Sequence, residues 1–594
     1  MMLEAAPAAG LRRVPRARTF RRLADQIGQH WLPLAIAAPM LLLVPFLVVF
    51  TLYMTFVQGL PIEPGYTLRH WSEVTRPYVL FTVLPNTLIV AFGSVLISLG
   101  FGVPLSWFVN RTRMPLRSLA VVCIGLVVIV PGFVQAMAWQ MLVNPTSGIF
   151  NKSVEYLTNH TVTITVNSLL GMAWVLGLAL TPAVFFMLSG AMRSLNSELS
   201  EAAAVARIST IRTLMKIELP LLWPAILGAG LYTFMTAIAI FEVPAMLGGG
   251  GGKLGVLSTE LFYAVQPVTP VPQIDYGAAG VYGSLIMLPS FFAMYFYLRA
   301  LGRFHGYAVV TGRGYASRPT DLGRAKYLGI GFLWLYLLLA LGLPLLVLIW
   351  GSLQLNFRPP SAEALSNLTL RNFSQFFPAI GGWRPLLNTI ILMASVSVVV
   401  MLISFMISWL VIRTKLSFRG VLDVTVFSSH AIPAIAIGFD LYLVALSLGR
   451  WVPLAGTLVI IGLAHAIASL APATRVTNAA LLQIHPQLVE AAQICRARES
   501  ISMSRVIMPL MKSSLLYGGL WTALLSAREV TMALFLAGTN NVVFSVGIWE
   551  LWRTGSQGLA ASAALLLVAI IGAVAAITMS LAKRLGGEAA SVWL

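Results

Sequence analysis

Long apolar blocks alternate with short polar or basic stretches along most of this chain. In the first half the blocks lie at 31–57, 79–109, 116–143, 166–192, 221–247 and 276–302, and in the second at 326–353, 384–411, 418–448, 454–483, 511–538 and 558–584. Each is as long as a helix needs to cross roughly 30 Å of hydrocarbon, which takes about 20 apolar residues with all backbone hydrogen bonds made internally. Strands of a membrane barrel would be half as long and alternate in polarity, so the pattern predicts helices. Prolines inside several blocks, Pro131, Pro182, Pro433 and Pro472 among them, predict kinks or breaks that neighbouring helices can accommodate.

The pattern is written twice. Asn86-Thr87 recurs as Asn388-Thr389, Ser106-Trp107 as Ser408-Trp409, Arg111-Thr112 as Arg413-Thr414, Arg117 as Arg419 and Pro131 as Pro433, each 302 positions apart. From Glu201 and Glu490 to Gly230 and Gly519 the separation becomes 289, which places extra residues of the first half in the stretch NPTSGIFNKSVEYLTNHTVTIT. Polar and proline landmarks in constant register mean internal duplication. The expected fold is therefore an all-α polytopic membrane protein of about 12 transmembrane helices in two parallel six-helix repeats, related by an axis along the membrane normal with a path between them. The segments follow: a basic cytoplasmic N-terminal segment at 1–30, a first repeat at 31–302, a linker at 303–325 and a second repeat at 326–594.

Composition agrees. Of 594 residues, 58% are hydrophobic and 10% charged, and the mean hydropathy is +0.86, outside the range of ordinary soluble domains. Arg12, Arg13, Arg16, Arg18, Arg21 and Arg22 precede a first block too long for a signal-peptide core, so a retained anchor is expected. With the N-terminus inside, 29 of the 39 lysines and arginines fall on the cytoplasmic side and nine outside. That bias predicts a multi-pass protein of the bacterial cytoplasmic membrane with both termini in the cytoplasm. It also accounts for the net charge of +19 through topology and anionic lipid, without nucleic acid as a partner.

Two polar segments stand out between the fourth and fifth blocks of each repeat: EAAAVARISTIRTLMKIELP at 201–220 and EAAQICRARESISMSRVIMP at 490–509. Each combines helix formers with a preceding turn (Asn196-Ser197, His485-Pro486) and ends on proline, which predicts a short surface helix whose alanines let a partner approach closely. These segments resemble the hallmark loop of permease subunits of bacterial ATP-binding-cassette importers: Glu-Ala-Ala, a glycine at the seventh position, and a closing Ile-x-Leu-Pro. The matches are Glu201, Ala202, Ala203, Ile217, Leu219 and Pro220 in the first copy, and Glu490, Ala491, Ala492 and Pro509 in the second, where Val506 and Met508 fit loosely. Arg207 and Arg496 replace the glycine in both copies. The resemblance spans almost the whole chain and is nearest to the fused permeases for ferric iron, with thiamine and aminoethylphosphonate systems as relatives. It implies that each segment docks on one of two separate ATPase subunits, which hold ATP and Mg, that an extracytoplasmic binding protein delivers the solute, and that this chain binds no cofactor itself.

The residues hold no enzyme active site. LGGGGGKLG at 247–255 lacks the first glycine and the Ser or Thr of a phosphate-binding loop, and reads as a flexible outer loop. The seven histidines show no metal-ligand spacing. Ionisable residues inside apolar blocks are costly and tend to face an interior, so Glu242, Arg528, Glu529 and Asp440 are candidates for the path, with His465 a weaker one. Glu242 and Glu529 are expected near the outer ends of the fifth block of each repeat. The rival reading is a secondary transporter driven by an ion gradient, which can share two six-helix repeats but has no use for paired docking loops.

Overall fold

A computed structural model describes residues 26–57, 65–161, 163–195, 197–249, 252–266, 274–307 and 319–584. The arginines at 12–22, the turn residue Asn196 and the centre of the linker lie outside the described residues.

Among the described residues nine helices are long and apolar enough to cross a bilayer: Trp31–Met54, Val79–Arg111, Leu169–Ser194, Thr210–Ala239, Tyr276–Phe296, Gly323–Ser352, Arg384–Arg413, Leu458–Gln483 and Gln557–Leu581. The third block of each repeat is broken instead. Arg117–Val127 meets Gly132–Val143 at 90°, and Arg419–Ala431 meets Ala434–Leu448 at 100°. Pro131 and Pro433 stand at the two breaks in extended conformation, where a residue without N–H and with fixed φ ends one helix and begins the next. The fifth blocks stop short as well. The first ends at Ala239 and resumes as Glu242–Leu247. The second is the 17-residue helix Lys512–Arg528, resuming as Thr531–Leu536.

Each bent pair crosses once. Arg111, just before the first pair, donates to Leu195 O at the far end of Leu169–Ser194. Arg413 does the same to Leu481 O and Ile484 O at the far end of Leu458–Gln483. A helix of 26 residues is about 39 Å long, so the chain between has reached the opposite face. The repeated serines obey the same register: Ser106 donates to Phe185 O and Ser408 to Thr474 O. The landmarks at 302 thus bind partners at 289, and both copies hold the second helix of a repeat against the fourth.

The first helix of each half packs on the other half. Trp31–Met54 lies against Arg384–Ser408, Arg419–Ser428 and Ala434–Leu448, and Thr51 Oγ1 donates to Asp440 Oδ2 at 2.6 Å. In return, Lys326–Leu337 and its continuation lie against Leu84–Arg111, Arg117–Val127 and Gly132–Val143. There the buried Tyr336 hydroxyl donates to Leu178 O, and Gln135 Nε2 to Ala340 O. The segments leading into these helices cross over too: Gln26 Nε2 donates to Lys415 O, and Thr320 pairs its backbone with Arg111 and Arg113. Since 113 and 415 are 302 apart, the exchange is symmetric.

Candidate translocation path and coupling segments

Both polar segments fold alike. Ser197–Val205 and Gln487–Ile494 are short helices, followed by a turn and then by a π-helical stretch, Leu214–Glu218 in one copy and Ser502–Ile507 in the other. The wide turn precedes a proline each time. Pro220 and Pro509 have no N–H to return to the carbonyl four residues back, so the ladder slips by one. After each short helix, Ile208 N–H reaches Ala203 O at 2.9 Å and Ala497 N–H reaches Ala492 O at 3.0 Å. This is a Schellman closure, and it requires a left-handed residue just before the donor. Arg207 and Arg496 fill that role with φ of 57° and 54°. The arginines therefore replace the expected glycine in side chain and keep its backbone conformation.

The segments present a matched surface. Glu201, Ala202, Arg207, Glu490, Ala491 and Arg496 are exposed, and Ala203 is buried beneath the first helix. Val205 is 86% exposed and Ile494, its counterpart 289 positions later, 83%. A large apolar side chain thus protrudes from the end of each helix. Sequence reasoning passed over this pair, although both residues stand between the named Glu-Ala-Ala and arginine. Ile217 and Leu219 are half-buried at the junction with the fifth helix, while Pro220 and Pro509 are exposed.

The breaks in the third and fifth blocks come together. A broken helix leaves carbonyls without partners on one side of the break and N–H groups on the other, with partial charges to match. Arg528 extends Nη1 to Val128 O at 2.9 Å, taking the carbonyl side of the first repeat's break. Glu242 accepts from Gly132 N–H on the other side, close enough to Arg528 and Glu529 to feel both charges. Glu529 accepts Met532 N–H at 3.0 Å, capping its own short helix, and its backbone carbonyl accepts from Ser545. The three ionisable side chains keep some water-accessible surface, while their neighbours Phe241, Val243, Ala527 and Val530 are buried. Glu242 and Glu529 stand just past the ends of the fifth helices, as expected from their place in the fifth blocks, and Glu242 faces the first repeat's break together with Arg528 of the second repeat.

At the second repeat's break the contact is aromatic. His430 stacks on Tyr232 of the first repeat with centroids 4.9 Å apart. Asp440 is fully buried against Thr51, away from any water boundary, and His465 bonds Ser526.

The glycine-rich stretch, read as a flexible loop, is held at its C-terminal end. Asn86 Nδ2 donates to Lys253 O at 2.9 Å and Gly255 O at 3.0 Å, Thr87 Oγ1 accepts Leu257 N–H, and Tyr78 reaches Gly252 O. In the second half, Asn388 donates to Val542 O and Thr389 accepts Phe544 N–H. The repeated Asn-Thr pairs, legible in sequence only as landmarks, clamp the short helices that follow each fifth helix.

Residues 98–304 match the family described as binding-protein-dependent transport system inner membrane component. A Haemophilus influenzae protein named for ferric transport is 23% identical over 517 residues, covering 85% of this chain and 78% of its own length. Residues 98–304 thus carry the likeness to this permease family, and the ferric transport relative extends it over most of the chain. A ferric transport permease of Actinobacillus pleuropneumoniae is 24% identical over 401 residues, 67% of the chain and 56% of that protein. A sulfate transport permease of Salmonella typhimurium is 24% identical over 228 residues, which are 38% of this chain and 78% of that protein. The shorter relative is thus matched along most of its length by less than half of this permease, as a two-repeat chain requires.

Proposed function

We propose that this permease is the membrane-spanning subunit of an ATP-driven importer and carries both permease halves in one polypeptide. The observation that supports this most directly is the pair of polar segments with identical turns, each presenting an exposed carboxylate, arginine and apolar tip on one face of the molecule. In this reading two ATPase subunits bind those surfaces in the cytoplasm, where both termini also lie, and hydrolyse the ATP. A binding protein delivers solute to the other face. The segments must contact the open and closed ATPase pair differently, because only a difference in binding free energy can shift an equilibrium between inward- and outward-facing states. The solute passes between the repeats at the broken helices, beside Glu242, Arg528 and Glu529. Ferric iron is the proposed cargo, supported by the ferric transport names of two relatives.

The test is solute entry into sealed membrane vesicles containing the permease, its ATPase and a ferric-loaded binding protein. Ferric iron uptake that requires ATP and survives collapse of ion gradients is expected. Uptake driven by an ion gradient without ATP would instead establish a secondary transporter.

A further inference from the structure

We infer that each coupling segment is strutted to the second helix of its own repeat by a carboxylate–indole hydrogen bond, and that Glu218 and Glu499 are the positioning residues that carry the segment's displacement into the membrane. This rests on the importer reading above.

Trp107 and Trp409 are 302 positions apart and buried, at 7% and 3% exposure. An indole N–H only donates, and when buried it needs an acceptor. Trp107 Nε1 donates to Glu218 Oε2 at 2.8 Å, and Trp409 Nε1 to Glu499 Oε1 at 2.6 Å. Both acceptors belong to coupling segments, but they are not equivalent residues. At the separation of 289 that aligns these segments, the counterpart of Glu218 is Ile507 and the counterpart of Glu499 is Thr210. Duplication alone would have left the acid at one register position. Instead the indole keeps its register, and the carboxylate reaches it from two places eight residues apart, so the contact itself is the shared feature.

Each acid also has its own basic neighbour. Arg111 Nη2 lies 2.9 Å from Glu218 Oε1, and His30 Nδ1 lies 2.7 Å from Glu499 Oε1. Hydrogen bonds to an ionised acceptor are roughly twice as strong as neutral ones, which suits a link under load. The adjacent serines show the alternative, since Ser106 and Ser408 are satisfied by backbone carbonyls of the fourth helix. From each tryptophan the second helix runs unbroken to the Asn-Thr clamp on the opposite face. A shift of the coupling segment thus reaches the helices beyond the fifth-block break through one rigid element.

The test transfers the strut between registers. Glu218→Ile removes it from the first repeat, and adding Thr210→Glu rebuilds it in the second repeat's arrangement. In the vesicles described above, with ferric iron uptake and ATP hydrolysis measured separately, E218I is expected to lose about tenfold in iron moved per ATP while hydrolysis continues, a coupling loss of about 1.4 kcal/mol. T210E/E218I is expected to regain most of it. Trp107→Phe removes the donor and should copy E218I, giving the same answer if E218I accumulates poorly. Unchanged uptake per ATP in E218I and W107F, or no recovery in a T210E/E218I protein that elutes as the parent does, overturns the inference alone. Absence of ATP-dependent uptake in the parent overturns the importer reading and this inference with it.

Discussion

Arg207 and Arg496 show how a departure in sequence can leave a conformation intact. A non-glycine residue in the left-handed region costs about 1–2 kcal/mol, yet the chain holds both arginines there with the Schellman bonds made. The side chain, then, is what differs from a glycine turn. Arg207→Gly with Arg496→Gly should keep amide-exchange protection at Ile208 and Ala497 and change stability by no more than about 1 kcal/mol. Reversal of both charges to Glu should also keep the turn but uncouple uptake from hydrolysis; uptake and ATPase binding at parental levels in that double variant would remove the arginines from the docking surface. Sequence identified these two residues from a missing glycine, but it could not reveal the positive φ, because a backbone angle is fixed by hydrogen bonds that close five residues back. It likewise missed Val205 and Ile494, since an apolar residue in an apolar chain gives no signal until its exposure is known.

At the scale of elements, apolar length predicted where helices lie, and proline predicted some of their breaks. The block boundaries at 79–109, 166–192, 384–411 and 454–483 fall close to the observed helices, because burial in lipid and internal hydrogen bonding are local demands. The fifth blocks were read as continuous at 221–247 and 511–538. The break at Glu529 carries no proline, whereas the one at Ile240 is followed by Pro244, which has no N–H to return to the Ile240 carbonyl; both also depend on partners distant in sequence: Gly132 for Glu242, Val128 for Arg528 and Ser545 for the Glu529 carbonyl. Gly132 is a sensitive point in that junction. A methyl group built there would collide with the Glu242 carboxylate, so Gly132→Ala should displace the acid without removing its charge. Iron uptake is expected to fall roughly tenfold, within the range of about 1–3 kcal/mol typical of coupling between sites, while Ala434, which already stands at the corresponding place in the second repeat, tolerates change to glycine. Equal losses from Gly132→Ala and Ala434→Gly, measured in the same vesicles, would count against a special role for the first break.

At the scale of the molecule, the duplication was legible because polar landmarks survive in register, but the exchange of first helices was not, since lipid-facing and repeat-facing apolar surfaces read alike. The exchange makes a direct prediction. A first half ending at Tyr307 and a second beginning at Thr320, expressed together, should co-purify in mild detergent and support uptake, because each half supplies the other with a helix; separate elution of the two would show that the covalent linker is what holds them. The same exchange imposes an order on synthesis. Trp31–Met54 is made first, yet the surfaces it covers, at 384–448, come more than 300 residues later. At about 5–20 residues per second the helix spends on the order of tens of seconds in the bilayer before its second-half partners exist, with only Tyr276–Tyr307 of its own half to pack on in the later part of that time, and Asp440 enters the membrane only when the Thr51 hydroxyl is already waiting. A permease built as two exchanged halves in one chain therefore completes neither half alone: the first repeat stays an unfinished client of the insertion machinery until the second has been threaded in beside it.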